Sequence, residues 1–179
     1  MYMNTNTRLV SPEFDFLQPK SLAEVFSMLE EHGSSAKLLA GGTDLLVQMK
    51  MERQHPAYVI SLSKVKELEG IKSDGGLTIG AMTSIRTISR SEPVMADYAA
   101  LQEACNAYST VSVMLMGTLG GNLCNASPAS DTAPALMVHD ASVVLKSAKG
   151  ARTVLLRDFF KGPGKTVIQP GEIMTAIEL

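Results

Sequence analysis

Metal-binding side chains are scarce in this chain, which has two cysteines, Cys105 and Cys124, and three histidines, His32, His55 and His139. The cysteines show no Cys-x-x-Cys spacing and no neighbouring histidine pair, which excludes a metal site or iron–sulfur cluster assembled from this chain alone. They read as buried thiols rather than a disulfide. The histidines stand in unrelated contexts, and each reads as structural or solvated. Long apolar runs are missing too. None approaches the roughly 18 to 20 residues that span a bilayer, and Met1 to Thr7 lacks the basic and apolar regions of a signal peptide. A cytoplasmic location is therefore the expectation. Nor is there an excess of basic charge: 16 lysines and arginines against 18 acidic residues leave a net charge of −2. That argues against nucleic acid or an anionic membrane as the main partner.

One local absence says more. Between Arg90 and Lys146 there is no lysine or arginine. Any anion bound by this stretch has to be held by backbone N–H groups and neutral side chains.

What is present is a 179-residue chain, 45% hydrophobic, able to bury a core as one domain or two small lobes. Ser21-Leu22-Ala23-Glu24 is a capping box, and Leu22, Val25, Phe26 and Leu29 share one helical face until Gly33 stops the helix. A strand is predicted over Lys37–Ala40. After the turn at Gly41-Gly42 comes a helix through Leu45, Leu46 and Met49, capped by Thr43 or Asp44. Tyr58–Leu62 reads as the next strand. This is a small α/β lobe. The pattern then changes. A strand over Leu77–Gly80, a short helix over Thr83–Ser89 and a longer one over Val94–Ala107 precede strands at Ser142–Leu145, Thr153–Leu156 and Ile173–Ile177. Turn-rich links between these late strands point to an antiparallel sheet. The lobe boundary is expected near residue 62, giving 1–62 and 63–179.

Two glycine pairs carry most of the chemistry. In Leu38-Leu-Ala-Gly41-Gly42-Thr43-Asp44, a strand end, two permissive residues and a helix start aim unpaired N–H groups outward, where an anion can accept them. Glycines serve tight strand-to-helix turns for the same steric reason, and taken alone this pair reads more readily as such a turn. A carboxylate at Asp44 repels phosphate unless it points back to cap the helix. The second pair lies in Thr118-Leu-Gly120-Gly121-Asn122, within a segment to Asp131 dense in small donors and acceptors. Its apolar flanks, 107–116 and 133–138, hold this uncharged loop inside the fold, where its polar atoms need partners.

Lys37 to Leu45, Thr118 to Asn122 and Ser127-Pro-Ala-Ser-Asp131 together resemble the FAD-binding subunit of molybdenum hydroxylases, the flavoprotein subunits of xanthine, carbon monoxide and nicotinate dehydrogenases. Gly162-Pro-Gly-Lys165 and Glu172-Ile-Met174 match later segments, so the resemblance runs from about Phe14 to Leu179. It implies an α+β, vanillyl-alcohol-oxidase (PCMH) type fold, with FAD extended between a small α/β lobe and a larger, mainly antiparallel one. Carried onto matching positions, Lys37, Leu38, Leu39, Ala40, Gly41, Gly42, Thr43 and Asp44 line FAD, with Gly41 to Thr43 donating to the pyrophosphate. Ile79 contacts the cofactor, Thr118, Gly120, Gly121 and Asn122 approach from the other side, and Asn125 hydrogen-bonds nearby. Asp131 meets an adenosine or ribose hydroxyl, and Met174 takes an apolar flavin contact. With no tryptophan, aliphatic and methionine side chains are expected to wall the ring.

The resemblance implies no catalytic acid, base or nucleophile. The flavin takes electrons from a partner's iron–sulfur clusters and passes them to an acceptor such as NAD, beside a molybdopterin-binding large subunit and a 2Fe-2S small subunit. Two departures stand out. Relatives usually carry Gln-Ile-Arg-Asn where this chain has Ser112-Val-Met-Leu115. Full subunits also continue into a C-terminal domain beyond Leu179, which implies a less covered flavin and an apolar surface open to homodimerisation. Two alternatives keep the fold: a flavin-free assembly module, and a different flavoenzyme such as a nucleotide-sugar reductase or alcohol oxidase. The latter group needs a large substrate domain or a covalent-attachment histidine, and neither is evident in the sequence.

Overall fold

The computed structural model describes residues 13–179; Met1 to Thr7, considered above as a possible leader, lies outside them. The described chain opens with a parallel sheet. β1 (Asp15–Leu17), α1 (Leu22–His32), β2 (Ala36–Leu39), α2 (Leu45–Lys50) and β3 (Tyr58–Ser61) follow in order, and the strands lie β1-β3-β2. Both outer strands run parallel to β3. As the central strand, β3 buries Val59 and Ile60 completely, the unbroken apolar run that a strand covered on both faces requires.

The capping box works with one change. The Ser21 hydroxyl accepts from the Glu24 N–H, but the Glu24 carboxylate accepts from Lys20 N–H rather than from Ser21. Gly33, at φ 52°, ends α1, a conformation that glycine enters without a Cβ clash.

The rest of the chain builds a five-stranded antiparallel sheet ordered β4-β5-β10-β6-β7. β4 (Ile71–Ser73) and β5 (Leu77–Gly80) form a hairpin. Six short helices follow: α3 (Ile85–Ser89), α4 (Glu92–Asp97), α5 (Ala99–Ala107), α6 (Val111–Met116), α7 (Leu119–Asn125) and α8 (Thr132–Met137). The chain re-enters the sheet with β6 (Ser142–Ser147) and β7 (Gly150–Leu155). It then passes through α9 (Leu156–Phe159) and a small ribbon, β8 (Phe160–Gly162) with β9 (Lys165–Thr166), into β10 (Ile173–Glu178) at the middle of the sheet. β10 pairs with β5 on one side and β6 on the other.

The single helix expected over 94–107 is two. Tyr98 leaves helical geometry at φ −128°, ψ 54°, and its ring packs edge-on against His139, with centroids 5.1 Å apart. That tertiary contact overrides local helix preference. Leu101 and Cys105 still face inward as the periodicity requires, both fully buried. Burial pushes the Cys105 thiol up to about 12, so it stays a neutral, inert packing group.

Two apolar clusters hold the fold. The larger joins the antiparallel sheet to α3, α5, α7 and α8 through Leu77, Ile79, Leu101, Leu123, Val143 and Ile177, among others. The smaller sits under α1, where Val25 meets Leu62, Val65, Leu68 and Ile173. It thus draws on chain beyond residue 62, including the first residue of β10.

Candidate functional site

The first glycine pair lies between β2 and α2 and faces the start of α7. Gly42 stands at φ +78°, in the left-handed region where an L side chain is strained. Gly41 is constrained differently: a Cβ there would collide with the Met116 carbonyl oxygen. Past this close approach the chain turns into α2. Gly42 and Asp44 accept from the amides of Leu46 and Gln48. The N–H groups of Gly42, Thr43, Asp44 and Leu45 have no acceptor among the described residues. Four consecutive free donors at partly exposed positions form a concave, electropositive backbone surface suited to an anion.

The second pair behaves otherwise. Thr118 to Asn125 is a capped helix rather than a loop, with the Thr118 hydroxyl accepting from Gly121 N–H at 3.1 Å. Leu119 N–H donates to the Thr83 carbonyl at 3.1 Å and Gly120 N–H to Ala81 at 2.9 Å. A Cβ on Gly120 would sit 2.6 Å from the Ala81 Cβ. Glycine inside a helix costs about 1 kcal/mol relative to alanine, and here that cost is offset by close packing on residues 81–83.

The two segments enclose a cleft of about 220 Å³. Lys37, Leu38, Ala40, Gly41, Gly42, Thr43 and Asp44 line it from one side, and Thr118, Gly121, Asn122 and Asn125 from the other. A second hollow of about 250 Å³ shares Thr43, Asp44, Asn122 and Asn125 with it and adds Asp131. Of the sequence-predicted positions, Leu39, Gly120, Ile79 and Met174 line neither hollow. Ile79 and Met174 point into the main core, because both belong to strands of the central sheet. Among the described residues methionine lines neither hollow either, so the expected methionine wall is not found there. Met114 is buried in the core instead.

Polar side chains brace the cleft. The Asn122 oxygen accepts from the hydroxyls of Ser130 and Thr132 at 2.7 and 2.6 Å, and its amide donates to the Tyr108 hydroxyl at 3.2 Å. Burial raises the Tyr108 phenol above its ordinary range, countered by the Asn122 hydrogen bond and reinforced by the carboxylates of Asp44 and Asp131. The phenol therefore stays neutral at physiological pH. Asp44 does not cap α2 with its side chain. Its carboxylate instead accepts from Asn125 at 3.0 Å.

Sequence reasoning missed Gln48, Gln54 and Cys124 in the first cleft and Tyr108, Ser130 and Thr132 around Asn122. Gln48 falls one helical turn after Asp44, a spacing that could have marked it; Gln54 carries no such signal. Cys124 is exposed, contrary to the expected burial of both thiols. It follows Leu123 on α7 and so turns away from the core that Leu123 fills. Among the described residues lining the first cleft, Lys37 is the one cation.

Similarity to known proteins runs over nearly the whole chain. The family model for the FAD binding domain in molybdopterin dehydrogenase matches residues 12–179. The chain is 35% identical over 169 residues to the glyceraldehyde dehydrogenase medium chain of Sulfolobus acidocaldarius, covering 94% of this chain and 60% of that one. It is 33% identical over 172 residues to the carbon monoxide dehydrogenase medium chain of Afipia carboxidovorans, covering 96% and 60%. The solved carbon monoxide dehydrogenase of Hydrogenophaga pseudoflava superposes with a TM-score of 0.91 at 35% identity, covering 94% of this chain and 59% of that one. The chain thus spans about 60% of the length of these relatives.

Proposed function

This chain belongs to the family of FAD-binding domains in molybdopterin dehydrogenases, and from that membership we propose that it holds FAD across the cleft between the two glycine-bearing segments. The observation that carries the reading is the run of free N–H groups from Gly42 to Leu45 facing α7. They donate to the cofactor's diphosphate, with Lys37 adding positive charge and Thr118, Asn122 and Asn125 supplying neutral hydrogen-bonding groups to the polyhydroxylated chain. The two adjoining hollows suit a long ligand better than a compact one, and Asp131 in the second accepts from a hydroxyl at the adenosine end. Ile79 and Met174 act from the core beneath. A division into 1–62 and 63–179 fits the reading, with the parallel sheet on one side and the antiparallel sheet on the other.

Bound FAD would supply the redox chemistry, able to take up electrons one at a time from iron–sulfur clusters and to pass them on as a pair to an acceptor such as NAD. The chain's own residues bind and orient it. As a subunit of an oxidoreductase, the chain works beside a molybdopterin-binding large subunit and a 2Fe-2S small subunit in the cytoplasm, with NAD as an external acceptor. The test is a visible spectrum of the purified protein, with added FAD if it is colourless. Bands typical of bound flavin are expected, and a protein that neither carries nor takes up flavin overturns the reading.

A further inference from the structure

We propose that Asp44 and Asn125 form a brace across the cleft, and that the Asp44 carboxylate is a positioning group that acts on the cofactor through Asn125 rather than by touching it. The proposal rests on the FAD reading above.

A carboxylate needs a reason to stand beside four free N–H groups meant for a doubly charged diphosphate, because like charges at such range repel. Capping α2 is not that reason, since the Asp44 side chain makes no cap bond. Its oxygens accept from Asn125 Nδ2 at 3.0 Å and from the Thr43 hydroxyl at 3.5 Å. Among the described residues, Asp44–Asn125 is the single side-chain hydrogen bond from Gly41–Asp44 to α7, and it joins positions 81 apart in sequence.

Both ends of α7 are thereby fixed. Its first turn is tied to residues 81–83 through the N–H groups of Leu119 and Gly120. Its last residue is Asn125, where Ala126 at φ 48° stops the helix. Asn125 thus projects from a helix anchored to the main core, and its bond to Asp44 sets where the free N–H groups of Gly42 to Leu45 stand. The brace presets the width of the cleft before the cofactor arrives, and preorganisation of this kind strengthens binding without a new ligand contact.

A double-mutant cycle tests it. FAD titrations on the protein and on Asp44→Ala, Asn125→Ala and the double variant should show each single change weakening binding about tenfold, with the double variant no weaker than about twentyfold. Asp44→Asn keeps an acceptor oxygen and should recover most of the affinity lost in Asp44→Ala. Thermal unfolding of the same set without FAD should also be non-additive. Effects on FAD that multiply to about a hundredfold in the double variant, or an Asp44→Asn protein as weak as Asp44→Ala, overturn the proposal. Failure of the unaltered chain to bind FAD, with the unfolding cycle still non-additive, instead overturns the cofactor reading and the positioning role with it.

Discussion

The N–H groups of Gly42 to Leu45 find no acceptor among the described residues, whereas those of Leu119, Gly120 and Gly121 donate to Thr83, Ala81 and Thr118. Both segments carry a glycine pair next to small polar residues, yet only one leaves its backbone open. In the first, Gly42 supplies the left-handed turn that exposes the donors. In the second, the missing Cβ of Gly120 lets α7 sit on Ala81. Glycine permits close approach, and in the FAD reading proposed above the partner is a ligand in one case, while in the other it is the protein. Gly41 belongs with the packing group, since it is where the two segments meet at Met116.

Gly41→Ala should break this arrangement most severely. Its Cβ meets backbone that cannot move aside, so a loss of about 3 kcal/mol in unfolding free energy is expected, together with loss of FAD binding. Denaturant melts and flavin titration read both. Gly120→Ala comes next, at about 2 kcal/mol, although alanine is the better helix former. Its effect should appear mainly in stability, and a Gly120→Ala protein melting at or above the parent temperature would end the packing assignment. Gly42→Ala should cost about 1 kcal/mol of strain and weaken FAD more than Gly120→Ala does, while Gly42→Asn, which tolerates positive φ, recovers part of both.

A smaller effect outside both segments calibrates the scale. Arg152 holds Glu172 through two short bonds at 2.7 and 2.8 Å and also donates to the Val167 carbonyl. The hydrogen bond from Arg152 holds the Glu172 carboxyl below its ordinary range. A depressed carboxyl stabilises the fold above its unfolded pKa, about 4.3, and that contribution is lost as pH falls through the folded value. The melting temperature should therefore drop on acidification below about pH 4.5, and in Glu172→Gln that part of the drop should disappear. FAD affinity at neutral pH should stay as it is, since neither residue lines the two hollows.

Much of the architecture was legible from pattern alone. The capping box at Ser21, the turn at Gly41-Gly42 and the apolar strands of the late sheet come from local spacing, and each lies within three residues of its predicted place. The break at Tyr98 was not legible, because it answers to a contact with His139 far along the chain. The helical state of 119–125 was also hidden, since two glycines in sequence argue for a loop and only packing on 81–83 reverses that preference.

The same division holds for the site. Sequence by itself determined which donors were available: neutral side chains around the second pair, one lysine near the first, and glycines where a backbone had to come close. These are properties of residue type and spacing, which the chain carries wherever it folds. Tertiary structure alone decided which N–H groups remained free, that Asp44 faces Asn125 instead of capping its own helix, and that Tyr108, Ser130 and Thr132 converge on Asn122. A hydrogen bond is used up by whichever partner the fold brings within about 3 Å, and no local pattern records a partner 81 positions away.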